Sequence, residues 1–170
     1  VKSSYGPPSY VGHESSSEYM ELYFTQEVNP EDVKMKFSKV LPNGFRLLSV
    51  KKVPLTFPAI DILSNVAEYE IKDTNISQEM IDRFLSQEKI LVEKTKKGGI
   101  IEIDAKPLIK SFRNENGILK LRLRFGVGKT VKPEIILHKI FRNQENYALI
   151  YAIERTELYI EIKNGEICEL

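Results

Sequence analysis

The chain has 170 residues, 42% of them hydrophobic, with eight Phe, eight Tyr and a formal net charge of +1. That length fits one domain or two small ones packed together, and the apolar content suffices for a core. No apolar run approaches the ~20 residues a membrane helix needs. The start lacks the basic-then-apolar layout of a signal peptide, and the single Cys168 excludes an internal disulfide framework or a cysteine zinc site. A reducing cytoplasmic setting is therefore expected.

The near-zero net charge hides segregation. Residues 89–142 carry 14 Lys/Arg against 5 Asp/Glu, a local balance of +9, whereas residues 1–88 and 143–170 each come to −4. A contiguous +9 surface would attract anions.

Along the chain, residues 1–17 are turn formers and read as an irregular arm that opens on Val1, as a chain lacking its true beginning would. Met20, Leu22 and Phe24 alternate with Tyr19, Glu21 and Tyr23, a half-buried strand. Asn29-Pro30 caps a helix whose apolar stripe is Val33, Phe37, Val40 and Leu41, stopped by Pro42-Asn43-Gly44. A second strand is expected from Phe45 to about Val53, and a third through Ala67, Tyr69 and Ile71. Ser77 caps a second helix with Ile76 and Ile81 as a hydrophobic staple, and Ile90-Leu91-Val92 opens a fourth strand. The order β-α-β-β-α-β predicts an α+β fold: a ferredoxin-like antiparallel sheet with helices on one face, over residues 18–97.

Residues 98–162 predict a second, smaller α+β half packed on the first. It comprises a strand at Ile101–Ile103, a short helix after Pro107 carrying Leu108, Ile109 and Phe112, and a turn at Asn114–Gly117. Leu119, Leu121, Leu123 and Phe125 then alternate with Lys120, Arg122 and Arg124, the cleanest strand pattern in the chain. Pro133 opens a helix with Ile136, Leu137, Ile140 and Phe141 inward. A long strand follows from Tyr147 to Ile162, and residues 163–170 read as a frayed tail.

Residues two apart on a strand face one side ~6.7 Å apart, near the spacing of phosphates on an extended nucleic-acid strand. Lys120, Arg122 and Arg124, with Lys129 and Lys132 beyond the strand end and Lys94, Lys96 and Lys97 in a turn region, therefore suggest a cationic ridge for RNA. Tyr147, Tyr151 and Tyr159 are candidates to stack bases. The competing reading is an ordinary solvated strand face paired with carboxylates of a neighbouring strand.

Gly126-Val127-Gly128-Lys129-Thr130 lacks the first glycine of a phosphate loop, since Leu123 stands there, and the following helix starts too late, at Pro133. His13 and His138 lie far apart with no ligand spacing, so no metal site is expected. Cys168 has no positioned base, and Glu14, Glu18, Glu154 and Glu157 carry no specific acid–base signal.

Several blocks occur together: Gly12-His13-Glu14-Ser15-Ser16-Ser17-Glu18-Tyr19, Leu41-Pro42-Asn43-Gly44-Phe45, Ala67-Glu68-Tyr69, Ile103-Asp104-Ala105-Lys106-Pro107-Leu108-Ile109, Lys132-Pro133-Glu134 and Glu154-Arg155-Thr156-Glu157-Leu158-Tyr159. Their order and spacing resemble the radical-SAM-linked family of unknown function. Its members are fused behind, or accompany, a cobalamin-binding radical S-adenosylmethionine protein. The family's members begin with a further Arg-rich helical segment, so the chain resembles an N-terminally truncated copy. The resemblance implies a cobalamin-dependent radical SAM protein as partner and no cofactor in this chain, which has no cysteine triad for an iron–sulfur cluster. It also marks Arg155 as the candidate for anion or partner contact.

The expected function is thus a radical-SAM-associated accessory domain that binds the partner enzyme, its substrate or both, with RNA as the candidate substrate on a basic sheet face. The alternatives are an RNA-modifying enzyme acting through Asp104 or Asp61, an analogy at the level of fold, and a purely structural protein-interaction module. Asp104 also reads as a cap for the turn at Pro107.

Overall fold

The computed structural model describes residues 1–72, 74–96, 99–126, 130–141 and 152–170. Its first elements are three short strands, β1 (Lys2–Tyr5), β2 (Glu14–Ser15) and β3 (Met20–Tyr23), of which β1 and β3 form an antiparallel pair. Helix α1 (Pro30–Ser38) begins as its sequence predicts: Pro30 sits in the first turn and the Asn29 side chain accepts from the Glu31 amide. The apolar stripe of α1 meets no core, because none of its residues is buried. No strand forms at 45–53; the short helix α2 (Ile60–Leu63) is the next element. Pro42 and Pro54 bound that stretch, no strand pairs with it among the described residues, and Phe45, Leu48 and Val53 are exposed.

From here on a single core forms. Strand β4 (Val66–Ile71) runs into α3 (Gln78–Leu85), which Ser77 caps through the Met80 amide, with the staple residues Ile76 and Ile81 both buried. Strands β5 (Leu91–Lys96) and β6 (Gly99–Asp104) make a hairpin apart from the main sheet. A 3₁₀ turn at Lys106–Leu108 leads into β7 (Ile109–Glu115), so Phe112 lies in a strand rather than in the expected helix. Asn116 and Gly117, at φ +55° and +87°, turn β7 back into β8 (Ile118–Arg124). Helix α4 (Pro133–Phe141), then β9 (Ile153–Glu161) and β10 (Ile167–Glu169) complete the chain. The expected tail thus contributes an edge strand, while the expected strand start at Tyr147 lies outside the described residues.

The main sheet has the order β10-β9-β4-β8-β7, with β2 added in parallel to β9. This corrects the expected ferredoxin-like sheet over residues 18–97, because β3, β4 and β5 belong to three different sheets. A βαββαβ connectivity lies instead in β4-α3-β7-β8-α4-β9, with β5 and β6 inserted after α3. These strands pair antiparallel in the order β9-β4-β8-β7. The boundary expected near residue 97 does not divide this sheet, since β4 lies between β8 and β9. The fold is a mixed α+β arrangement of antiparallel sheets and few helices.

The core collects Ala67, Tyr69 and Ile71 of β4, Leu119, Leu121 and Leu123 of β8, Ile81 and Phe84 of α3, and Ile136, Leu137 and Phe141 of α4. Alternation in β8 sends its leucines to the helix side and Lys120, Arg122 and Arg124 to the other.

Candidate functional site

The three cations of β8 share one face, as their spacing predicts, and each meets a carboxylate there. Antiparallel register sets Glu68 opposite Arg122 and Glu70 opposite Lys120. Arg122 Nε donates to Glu68 Oε2 at 2.5 Å, its Nη2 donates to the Tyr159 hydroxyl at 3.1 Å, and its guanidinium lies 4.4 Å from the centre of that ring. Burial alone would loosen the Arg122 proton; the Glu68 hydrogen bond and charge more than offset it, raising the pKa above the ordinary arginine value. Lys120 sits 3.1 Å from Glu115 and 3.5 Å from Glu70, and the Glu115 hydrogen bond holds it above the usual lysine range. Arg124 and Lys110 converge on the two oxygens of Glu161 at 2.7 and 2.8 Å. A phosphate approaching this face would have to displace carboxylates already in place. The face is a cross-strand ladder of ion pairs, and its cations are neutralised rather than free.

Lys132 and Lys94 make other contacts. Lys132 places its ammonium 5.0 Å from the centre of the Tyr10 ring, Lys94 donates to the Thr130 carbonyl, and Lys129 and Lys97 lie outside the described residues. Tyr159 is buried beneath Arg122, and Tyr147 and Tyr151 lie outside the described residues.

Arg155 is not a surface contact. A β-bulge between β4 and β9 shifts the register so that Glu157 pairs with Glu68 but Arg155 with Tyr69. The extra residue, Thr156, stays on the charged face and donates to Glu68 at 3.3 Å. Arg155 is thereby carried to the face of Tyr69 and Ile153, where only 3% of its side chain is exposed. There it clasps the N-terminal arm, donating to the carbonyls of Pro7 and Ser17 and to Glu18 at 2.7, 3.2 and 2.5 Å. The arm answers with the Ser16 amide and the Ser17 hydroxyl on the Arg155 carbonyl, Ser16 Oγ on Glu154 and Tyr19 Oη on Glu157.

The clasp buries a polar group that the sequence did not reveal. His13 Nε2 lies 2.8 Å from Glu134 Oε1 on the first turn of α4, with 3% of the imidazole exposed. Its ring stands edge-on to Tyr10 and Tyr69, at centroid distances of 5.5 and 6.2 Å. Burial raises both phenols, Glu134 pushes both up further, and Arg155 opposes it at both. The only available signal was that His13, Tyr69, Lys132, Glu134 and Arg155 each lie in one of the short blocks noted in the sequence. Periodicity cannot join positions 121 residues apart.

Asp104 accepts from the amides of Ile90 and Lys106, both at 3.0 Å, and these bonds hold its carboxyl below the usual range. It ties β6 to the start of β5, the structural role its sequence suggested. Asp61 is exposed in α2, and Cys168 lies in β10. Among the described residues no three His, Cys, Asp or Glu side chains are grouped to hold a metal. No helix among them is long and apolar enough to cross a membrane.

A second unusual region is the connection between β3 and β4. No residue from 18 to 63 is buried. Phe24, Val28, Met35, Val40, Phe45, Leu48, Val53, Leu55, Phe57 and Ile62 are all exposed, Val40 by 74%, Ile62 by 75% and Leu55 by 89%. Among the described residues, the hydrogen bonds of residues 24–58 stay within that segment, and so does the Lys52–Glu27 ion pair. An apolar stretch this long, held to the body by neither core nor hydrogen bonds, has the character of an interaction surface.

Fold and contacts together define an α+β domain with a self-paired sheet face, a clasped arm and an uncovered apolar connection. Residues 1–134 match the DUF2344 family, described as an uncharacterized protein conserved in bacteria, and the chain belongs to that family. No curated protein and no solved structure matches it.

Proposed function

We propose that this domain is a docking module that binds a protein partner through residues 24–62. The observation that carries the reading is the set of large apolar side chains left uncovered there, on a segment whose residues 24–58 hydrogen-bond only among themselves. Water contact with ten such side chains is costly at roughly 25 cal/mol per Å² of apolar surface, and a partner's apolar groove would remove it. The segment carries Lys34, Lys36, Lys39, Arg46, Lys51 and Lys52 against Glu27, Glu31, Asp32 and Asp61, a surplus of two positive charges, so a partner groove rimmed by carboxylates fits best.

The partner implied by the sequence resemblance is a cobalamin-binding radical SAM protein, for which this domain would serve as an accessory. RNA binding is the lesser reading. It rests on the +9 segment, whose β8 cations already hold Glu68, Glu70, Glu115 and Glu161.

Titration of the intact chain against the cognate radical SAM protein by calorimetry tests the proposal. The expected result is saturable binding that Leu55→Glu with Phe57→Glu abolishes while thermal unfolding is unchanged. Equal binding by the double variant, or tight salt-sensitive binding to bulk tRNA with none to the protein, would overturn it.

A further inference from the structure

Both ends of the docking segment return to one strand. At its exit Asn65 sits on β9: its amide donates to the Tyr159 carbonyl at 3.0 Å, its side chain donates to the Glu161 carbonyl at 3.0 Å, and its Oδ1 accepts from the Glu161 amide at 2.7 Å. At its entry the Tyr19 hydroxyl donates to Glu157 at 2.7 Å, and Arg155 holds the preceding residues through the Ser17 carbonyl and Glu18. Glu157 and Tyr159 are two residues apart, ~6.7 Å along a strand. Residues 20–64 therefore leave β9 and return to it at nearly the same point, a closed loop whose large apolar side chains face water.

The two ends are held differently. Asn65 runs straight into β4, within the main sheet, and its carbonyl accepts the Phe125 amide at 2.8 Å. The arm hangs on polar contacts with β9 and α4, and among the described residues Tyr10 and Tyr19 are its only hydrophobic side chains packed on the core, both half-buried. β1 braces the base of the loop. It pairs with β3, the Gly6 amide donates to the Tyr19 carbonyl at 3.0 Å, and a Cβ at Gly6 would lie 3.4 Å from Tyr19 Cβ and 3.6 Å from Ile60 Cγ2 of α2. The arm thus touches the loop where it starts and where it ends. Loop-closure entropy grows only slowly with length, so a set of polar contacts can hold even a long loop shut. We propose that the arm is a latch: clasped on β9 it closes the base of the docking loop and fixes the outline offered to a partner, and released it lets the loop open from the β3 end. The use of the latch rests on the docking reading; its existence does not. By linkage, a partner that fits the closed loop tightens the clasp by the factor by which the clasp tightens docking.

Spin labels on Thr25→Cys and Ile62→Cys, both exposed positions, read the base of the loop by pulsed electron resonance in the full chain carrying Cys168→Ser. The expected result is one narrow, short distance in that background and a broad spread to longer distances once Arg155→Ala is added. Gly6→Pro removes the amide bond to Tyr19, leaves Arg155 in place and should open the base in the same way, so poor folding of one variant leaves the other to decide. A broad distance with the clasp intact, or a narrow one in both folded variants, would overturn the latch. Calorimetry with the unlabelled chain and the radical SAM protein proposed as its partner then reads the coupling: the opened variants should bind about tenfold more weakly. Equal affinity of parent and opened variants would overturn the coupling. A parent chain that does not bind would end the docking reading, and the distances would still judge the latch.

Discussion

Residues 18–63 and residues 64–161 are both rich in Leu, Val, Ile and Phe, yet they treat these side chains in opposite ways. In the later region β4, β8 and β9 bring their apolar faces against α3 and α4, so Ile71, Leu119, Leu121 and Leu158 are wholly buried. In the earlier region α1 has a cap, a proline at its start and an apolar stripe, but buries nothing. The difference shows that local signals build an element, while burial depends on a partner surface. The described residues supply none for 24–62, which is why a docking partner is proposed for it.

Substitutions sharpen this comparison, from the largest effect down. Leu121→Ala, at 0% exposure, should destabilise the domain by about 2–5 kcal/mol in urea unfolding. Leu55→Ala should leave stability within about 0.5 kcal/mol of the parent, because the folded chain does not cover it. A loss at Leu55 as large as at Leu121 would mean that the connection packs on the body.

Arg155→Ala should cost about 1–3 kcal/mol by stranding the Pro7 and Ser17 carbonyls, and should also speed proteolysis within residues 6–18. Parent-like protection of the arm would break the clasp. Gly117→Ala should cost about 1 kcal/mol, since Gly117 sits at φ +87° in the β7–β8 turn.

The smallest effect is one of pH. Hydrogen bonds from the Ile90 and Lys106 amides lower the Asp104 pKa in the folded chain. Its stabilising contribution is therefore full above the unfolded value of roughly 3.9 and disappears as pH falls through the lower folded value. Stability measured from pH 6 down to 2 should fall less steeply in Asp104→Asn than in the parent.

How much was legible in the sequence follows from the range of each signal. Caps and period-two alternation are local, so the starts of α1 and α3, the strand β8 and the turn before it stood out. Strand pairing is not local. β4 pairs with strands that begin about 50 and 80 residues later, and nothing within β4 points to them. The βαββαβ order expected over 18–97 therefore rests on an apolar stretch at 45–53 that forms no strand. For the same reason the β8 cations looked free, because Glu68 and Glu70 face them only after pairing. Arg155 stands out only through the short block that carries the family resemblance, and its direction depends on a bulge that no alternation reveals. His13 meets Glu134 only after the arm folds back.

The most direct measurement is hydrogen–deuterium exchange of the chain, alone and with the cobalamin-binding radical SAM protein proposed as its partner. The account predicts fast exchange across residues 24–62 in the free chain, strong protection there on binding, and unchanged slow exchange in β8. Protection confined to β8, or none within residues 24–62 when the complex is formed, would contradict it.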